Sequence, residues 1–185
     1  VNLATALSQD EDWRQIPGLI FKNSGDRLVS TGAPHLITNL DELPFPKFDV
    51  WPLEAYWKIS APHGGDFPLG QEVRYAQMQT SRGCPFICSF CHISMEKKGS
   101  QSGEIGNLRL KSTNRVLAEA AALKSLGAEW LFFEDDSLLA KTARAIEIFN
   151  RVSDLGLKLA DVNGVNLVHL FKRDRSGKLA VNSEL

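Results

Sequence analysis

Cysteine is all but missing from this sequence: 185 residues hold three, and all of them fall between positions 84 and 91. An odd, tightly clustered set cannot make a disulfide framework. It reads as a metal or cluster site in a reducing compartment. An excess of one charge is missing too. Lys and Arg total 21 against 22 Asp and Glu, for a net charge of −1. That gives no electrostatic case for nucleic acid or an anionic membrane surface. No apolar run approaches the ~20 residues needed to cross a bilayer. The opening Val1-Asn-Leu-Ala-Thr-Ala-Leu7 has neither the basic start nor the apolar length of a signal peptide. These absences predict a cytoplasmic chain with no nucleic-acid or membrane partner. What is present is an ordinary globular balance, 43% hydrophobic and 23% charged, which argues against disorder. The length suits one domain, or a small domain with an arm. The chain starts at Val1 and ends on Val181-Asn-Ser-Glu-Leu185 without a stopping feature, so the sequence predicts a piece of a longer protein.

Proline is also unevenly placed. Pro34, Pro44, Pro46, Pro52, Pro62 and Pro68 crowd one stretch, Pro17 precedes it, and only Pro85 follows. A residue that fixes φ and lacks a donor predicts extended, irregular chain there. The same stretch carries Phe45, Phe48, Trp51, Tyr56 and Trp57, more aromatics than a free linker needs, so it is expected to pack along a larger body. Before it, residues 1–16 are weakly patterned. Leu19-Ile-Phe-Lys22 and Arg27-Leu-Val-Ser-Thr31 flank Asn23-Ser-Gly-Asp26, which predicts a hairpin. From Glu72 the pattern changes. Val73–Thr80 reads as a strand entering the cysteine stretch, and a polar, Gly-rich loop runs from Lys97 to Asn107. Ser112 or Thr113 caps a helix with Val116, Leu117, Ala120, Ala121, Leu123 and Leu126 on its apolar face, closed by Gly127. Glu129–Phe133 is a short apolar strand and Glu134-Asp-Asp-Ser137 a loop. A second helix starts near Thr142 and stops at Gly156, and Lys158–Val162 is a third strand.

The two helix-ending glycines are 29 residues apart, the length of one βα unit. Alternation at this period means a parallel sheet, either a barrel or an open doubly wound sheet. A closed barrel of six to eight units would take on the order of 170–230 residues at this period, so residues 78–185 could hold about half of one. A half barrel has open edges and is expected to be unstable or aggregation-prone on its own.

The chemistry concentrates in Ser81-Arg-Gly-Cys84-Pro-Phe-Ile-Cys88-Ser-Phe90-Cys91-His92. Three thiolates spaced C-x3-C-x2-C favour zinc, copper(I) or an iron–sulfur cluster. Structural zinc wants a fourth ligand. His92 adjoins Cys91 and would chelate under strain, and it reads better as a loop residue; His63 and His169 are distant in sequence. A 4Fe–4S cluster uses three protein thiolates and keeps its fourth iron open to a small molecule. A zinc-stabilised α/β binding module and an iron–sulfur electron-transfer protein stand as the other readings. The next candidates are Glu134, Asp135 and Asp136, at the end of the second strand. Their plain role is charge and capping near a helix start. Asn163 and Asn166 follow the third strand and are weaker candidates on the same grounds. Lys97 and Lys98 read as solvated loop, and Lys172-Arg-Asp-Arg175 as a surface turn.

Cys84, Cys88, Phe90 and Cys91 together resemble the C-x3-C-x-aromatic-C motif of the radical SAM (S-adenosylmethionine) superfamily, and the resemblance covers roughly residues 73–185. Ile16-Pro-Gly-Leu-Ile20, the Asn-Ser-Gly-Asp turn and Asn39-Leu-Asp-Glu-Leu-Pro-Phe-Pro-Lys-Phe-Asp49 look like the connector of the cobalamin-domain subgroup, which includes methyltransferases and the anaerobic ring cyclase of chlorophyll synthesis. The implied fold is α/β, the first half of a partial (β/α)6 TIM-like barrel, with 1–71 as a connector from a cobalamin-type domain and 72–185 as the truncated start of the radical SAM core. The implied cofactors are a 4Fe–4S cluster on Cys84, Cys88 and Cys91 and S-adenosylmethionine on its open iron. Cobalamin is implied for the parent protein only, since no Asp-x-His-x-x-Gly occurs. The implied activity is reductive cleavage of S-adenosylmethionine to a 5′-deoxyadenosyl radical that attacks a small-molecule substrate. The electron would come from a reductant such as ferredoxin or flavodoxin. Phe90 would lie on the adenine side, and one of Glu134, Asp135 and Asp136 would take the amino group, where many members have Gly-Gly-Glu and this chain has Phe-Glu-Asp-Asp. The resemblance assigns no side chain as acid, base or nucleophile.

Overall fold

A computed structural model describes residues 2–59, 72–97, 99–100 and 103–185. His63, Pro62, Pro68 and Lys98 lie outside the described residues. The chain divides into two units, one formed by the segments Val1–Thr38 and Phe86–Asn107, the other by Asn39–Pro85 and Leu108–Leu185.

The first unit opens with helix α1 (Asn2–Ser8), in a stretch the sequence leaves unpatterned. Strands β1 (Ile20–Lys22) and β2 (Leu28–Ser30) then form the expected antiparallel hairpin, with Phe21 opposite Val29. The turn holds because the Asn23 carboxamide oxygen accepts from the amides of Gly25 and Arg27. This is how asparagine mimics a backbone turn. Trp13 packs edge-on against Phe21 at 5.0 Å. Thr31 ties the base, its hydroxyl donating to the Ile16 carbonyl and accepting from the Leu19 amide. In the second segment a short 3-10 turn, His92–Glu96, is closed off by Gly106, whose amide donates to the Glu96 carbonyl at 2.8 Å. A Cβ on Gly106 would sit 2.4 Å from the Ile93 carbonyl oxygen, so only glycine fits there. Lys97 is half-buried rather than solvated, and its ammonium donates to the Gly106 carbonyl at 2.7 Å.

The second unit begins in the proline-rich stretch. That stretch is not wholly irregular: Leu53–Ile59 form helix α2, starting directly after Pro52, a position where the missing amide costs nothing. Two of the stretch's five aromatics are buried, while Phe45, Trp51 and Tyr56 stay about half exposed. Phe48 joins the main core, and Trp57 is buried with its indole N–H on the Tyr75 carbonyl at 2.7 Å. Strand β3 (Tyr75–Met78) leads to a two-residue ladder of β4 (Ser81–Arg82) with β5 (Arg109–Leu110). Helix α3 (Thr113–Ser125) follows, capped by the Ser112 hydroxyl, which accepts from the Arg115 amide. Then come β6 (Trp130–Phe133), α4 (Thr142–Asp154) and β7 (Lys158–Asp161). Gly127 and Gly156 end the helices at φ of 99° and 75°, the left-handed conformation that glycine adopts without cost.

Strands β3, β6 and β7 form one parallel sheet in the order β3-β6-β7, with Met78, Phe133 and Asp161 in line. Alternate residues of each strand point to opposite faces. Ala76, Met78, Leu131 and Phe133 share one face, and there they meet Val116, Ala120 and Leu123 of α3 and Ile148 and Val152 of α4. Both helices therefore cover the same face. On the other face, Tyr75 and Trp130 flank Phe132 at 5.5 and 6.2 Å between ring centroids. The chain closes with a second hairpin, β8 (Phe171–Arg173) and β9 (Leu179–Val181), whose turn is held by the Asp174 carboxylate on the amides of Ser176 and Lys178. The charge run at 172–175 is part of this hairpin.

Candidate functional site

The ends of the parallel strands carry a polar network that the sequence does not announce. Asp135, two residues past Phe133, is 1% exposed. Its carboxylate accepts from the Thr80 amide at 2.9 and 3.1 Å, from the Thr80 hydroxyl at 2.9 Å, and from the Ser81 hydroxyl. A buried carboxylate is tolerable only with such a set of donors. Arg144 of α4 completes the network: its guanidinium donates to the Thr80 hydroxyl and carbonyl at 3.2 and 3.0 Å, and to the Lys111 carbonyl at 2.7 Å. Burial pushes the Arg144 pKa down, and the charges of Asp135, Glu147 and Asp41 oppose that shift. The network ties the exit of β3 to β6, to α4 and to the strand entering α3.

The three acidic residues after β6 therefore differ. Asp135 spends its carboxylate inside the protein. Asp136 is exposed. Glu134 is half-buried, its carboxylate accepting from the Gln77 amide at 2.5 Å and its carbonyl from the Gln79 amide at 3.1 Å. None of them caps α4, whose N-terminal flank is Lys141. Asp161 ends β7 with both carboxylate oxygens buried and without a hydrogen bond of normal geometry among the described residues. Burial pushes its pKa up, the nearby charges of Asp135 and Glu134 add to that, and the backbone amides of Asn163 and Val162 ease it. Asn163 donates to the Asp135 carbonyl at 3.3 Å, and Asn166 caps the turn that starts at Leu167. His169 lies in that turn, its pKa lowered by burial.

The cysteine stretch leaves the β4 strand through Gly83, at φ 75°. Cys84 belongs to the second unit, Cys88 and Cys91 to the first. All three are half-buried and none is in a disulfide. The Cys91 amide donates to the Cys88 carbonyl at 3.1 Å, and the Ser94 hydroxyl donates to the same carbonyl at 2.8 Å, so the last two cysteines bracket a hydrogen-bonded turn. Phe90 is 92% exposed, and Ile87 and Met95 are 80% and 78% exposed. His92 is exposed. Among the described residues, no three His, Cys, Asp or Glu side chains stand together as a ready metal set. The donors still fit an iron–sulfur cluster by their chemistry, being three half-buried thiols, none in a disulfide, on one short loop.

No family model matches the sequence. Individual proteins do. The chain is 31% identical over 159 residues to an uncharacterized methyltransferase, PH0819, of Pyrococcus horikoshii, covering 85% of this chain and 30% of that protein. It is 30% identical over 132 residues to a cytidylyl-2-hydroxyethylphosphonate methyltransferase of Streptomyces wedmorensis, covering 69% of this chain and 22% of the relative. It is 39% identical over 94 residues to an anaerobic magnesium-protoporphyrin IX monomethyl ester cyclase of Cereibacter sphaeroides, covering 49% of this chain and 13% of the cyclase. The chain thus spans less than a third of each relative's length. Among solved structures it shares the fold of TsrM from Kitasatospora setae, a radical S-adenosylmethionine methyltransferase. The structure with cobalamin and a [4Fe-4S] cluster bound matches at TM-score 0.51 and 20% identity, over 85% of this chain and 30% of TsrM. The structure with tryptophan substrate and a SAM analog bound matches at TM-score 0.50 and 18% identity, over 85% of this chain and 29% of TsrM. No helix among the described residues is long and apolar enough to cross a membrane.

Proposed function

We propose that this chain, whose relatives are two methyltransferases and an anaerobic ring cyclase and whose fold is shared with the radical SAM methyltransferase TsrM, carries the cluster-binding part of a cobalamin-type radical SAM enzyme. The carrying observation is the loop Cys84-x3-Cys88-Ser-Phe90-Cys91, which leaves a parallel sheet just past the carboxyl end of its first strand, the end where strand–helix folds gather their active sites. When bound, a 4Fe–4S cluster supplies the electron that splits the C5′–S bond of S-adenosylmethionine to give a 5′-deoxyadenosyl radical. Cys84, Cys88 and Cys91 would hold the cluster, and Phe90 offers an exposed ring for stacking on adenine.

Of the three acidic candidates, Glu134 is the one to accept from the amino group of S-adenosylmethionine. Asp135 is committed to Thr80 and Ser81, while Glu134 is half-exposed and oriented by Gln77. Asp136 is exposed and stands second. The helices on one face of β3-β6-β7 suit the wall of a (β/α)6 barrel better than a doubly wound sheet, which carries helices on both faces. Residues 1–71 then connect to a cobalamin-type domain, and 72–185 begin the radical SAM core. The parent enzyme would be a methyltransferase or cyclase acting on a small molecule in the cytoplasm, reduced by a ferredoxin or flavodoxin.

The test is anaerobic reconstitution of the full-length protein with iron and sulfide, followed by S-adenosylmethionine and dithionite. Formation of 5′-deoxyadenosine is the expected result. A colourless protein holding one zinc, or a brown one that leaves S-adenosylmethionine intact, defeats the proposal.

A further inference from the structure

Cys88 and Cys91 are the two ends of one turn. The Cys91 amide donates to the Cys88 carbonyl at 3.1 Å, and a bond from the fourth residue back to the first makes Cys88-Ser89-Phe90-Cys91 a β-turn. Such a turn holds its end α-carbons within about 7 Å of each other. A disulfide spans roughly 4.4–6.8 Å between α-carbons, so the backbone already brings this pair to bridging range. Ser94 fixes the turn from outside. Its hydroxyl donates to the Cys88 carbonyl at 2.8 Å and its amide to the Cys91 carbonyl at 3.1 Å, so one residue grips both ends. The segment carrying Ser94 is itself closed off by the Gly106 amide on the Glu96 carbonyl.

The pair is also within reach of solutes. Both cysteines are half-buried rather than buried, and neither is in a disulfide. Ser89 and Phe90 between them are exposed, as is His92 after them. Both thiols lie in the first unit, whereas Cys84 belongs to the second. A buried structural cysteine is inert. Two accessible thiols at C-x2-C spacing are open to exchange with disulfides.

We propose that Cys88 and Cys91 of the metal-free chain react with a low-molecular-weight disulfide to form an intramolecular disulfide, leaving Cys84 a thiol. One cysteine thiolate attacks the small disulfide, releases half of it as a thiol and leaves a mixed disulfide. The second cysteine thiolate attacks the protein-bound sulfur and releases the other half. Two protein thiols are oxidised, one small disulfide is reduced to two thiols, and the two protons end on the released thiols. On the cluster reading proposed above, closure withdraws two of the three ligands, so cluster loading becomes dependent on the thiol redox state. That consequence rests on the cluster reading; the disulfide itself does not.

The test equilibrates the full chain, reduced and metal-free, under anaerobic conditions at fixed reduced glutathione and rising oxidised glutathione. Free thiols are then blocked with N-ethylmaleimide and the chain is cut with trypsin, which leaves all three cysteines on the peptide Gly83–Lys97. Fragment mass spectra should show one label, on Cys84, and a bridge from Cys88 to Cys91. Ser94→Ala should need about threefold or more oxidised glutathione for half closure, the effect of losing one ordering hydrogen bond, and Ser94→Thr, which keeps the hydroxyl, should restore the midpoint. Cys91→Ser should stop at a glutathione adduct on Cys88. Three labels in every buffer, a bridge that includes Cys84, a lasting glutathione adduct on the unaltered chain, or an unmoved midpoint in Ser94→Ala overturns the proposal. Circular dichroism of each variant separates these outcomes from loss of fold. No iron is present, so a missing bridge leaves the radical SAM reading standing, and a bridge in a chain that never loads a cluster leaves this inference standing.

Discussion

Asp135 and Phe90 stand at opposite ends of the range of burial. Asp135 is a charged residue almost wholly out of solvent, with its oxygens engaged by Thr80 and Ser81. Phe90 is a large apolar ring that is 92% exposed. Composition alone would put each where the other is. The strand ends are a region where protein atoms satisfy one another: carboxylate, hydroxyls, amide and guanidinium form one connected set beside the apolar core. The cysteine loop spends its order on its backbone, with the Cys88 carbonyl taking two donors, while Ile87, Phe90 and Met95 face outward. The contrast teaches that polarity is a poor guide to function here. The buried acid is structural, and the exposed ring and half-buried thiols are the groups able to meet a ligand.

The comparison breaks most sharply at the thiols. Cys88→Ala should abolish cluster formation, because two thiolates cannot hold the cube, so iron content and brown colour after anaerobic reconstitution should fall to background. Circular dichroism should stay the same, and a variant that keeps a full cluster contradicts the assignment. Next come the two phenylalanines. Phe133→Ala, at 1% exposure, should cost roughly 3–5 kcal/mol in urea unfolding. Phe90→Ala should stay within about 0.5 kcal/mol yet weaken S-adenosylmethionine binding to reconstituted protein. Equal destabilisation by the two would erase the distinction.

Asp135→Ala removes the acceptor for the Thr80 amide and two hydroxyls, and should cost roughly 2–4 kcal/mol through the donors left buried and unpaired. An unchanged urea midpoint would show that the network contributes nothing. The smallest effect is expected at Asp161, where the pKa is raised by burial. Between its ordinary and its raised value the folded chain binds more protons than the unfolded one, so stability falls as pH rises through that window. Asp161→Asn should therefore raise the melting temperature by a few degrees at neutral pH, and the gain should vanish below the ordinary carboxylate range. A gain that persists unchanged in acid would place the effect elsewhere.

Local patterns in the sequence foretold the hairpin at Asn23, the cap at Ser112, the stops at Gly127 and Gly156 and the three parallel strands. Each is written within a few neighbouring residues as a turn asparagine, a capping hydroxyl, a left-handed glycine or a run of one period. The short helices at Asn2–Ser8 and Leu53–Ile59 escaped that reading. Seven residues carry too little periodicity, and Pro52 looks like a breaker until it stands at a helix start. Lys97 reads as solvated for a similar reason: the Gly106 carbonyl that its ammonium meets has no signature in sequence.

What the sequence determined by itself was the chemistry on offer: three thiols at C-x3-C-x2-C, an aromatic residue before the last, and alternating strands and helices that deliver them to one end of a sheet. What only the tertiary structure decided was which polar groups remain free to use that chemistry. Asp135 is spent because Thr80 and Ser81, 55 and 54 residues away, come to it, and Arg144 reaches Thr80 across 64. Glu134 remains half-exposed, and Arg82 meets Arg109 only when a two-residue ladder closes. Periodicity and caps act between near neighbours and can be read along the chain. Burial and charge pairing depend on distances in space, which are set only when the strands pack side by side.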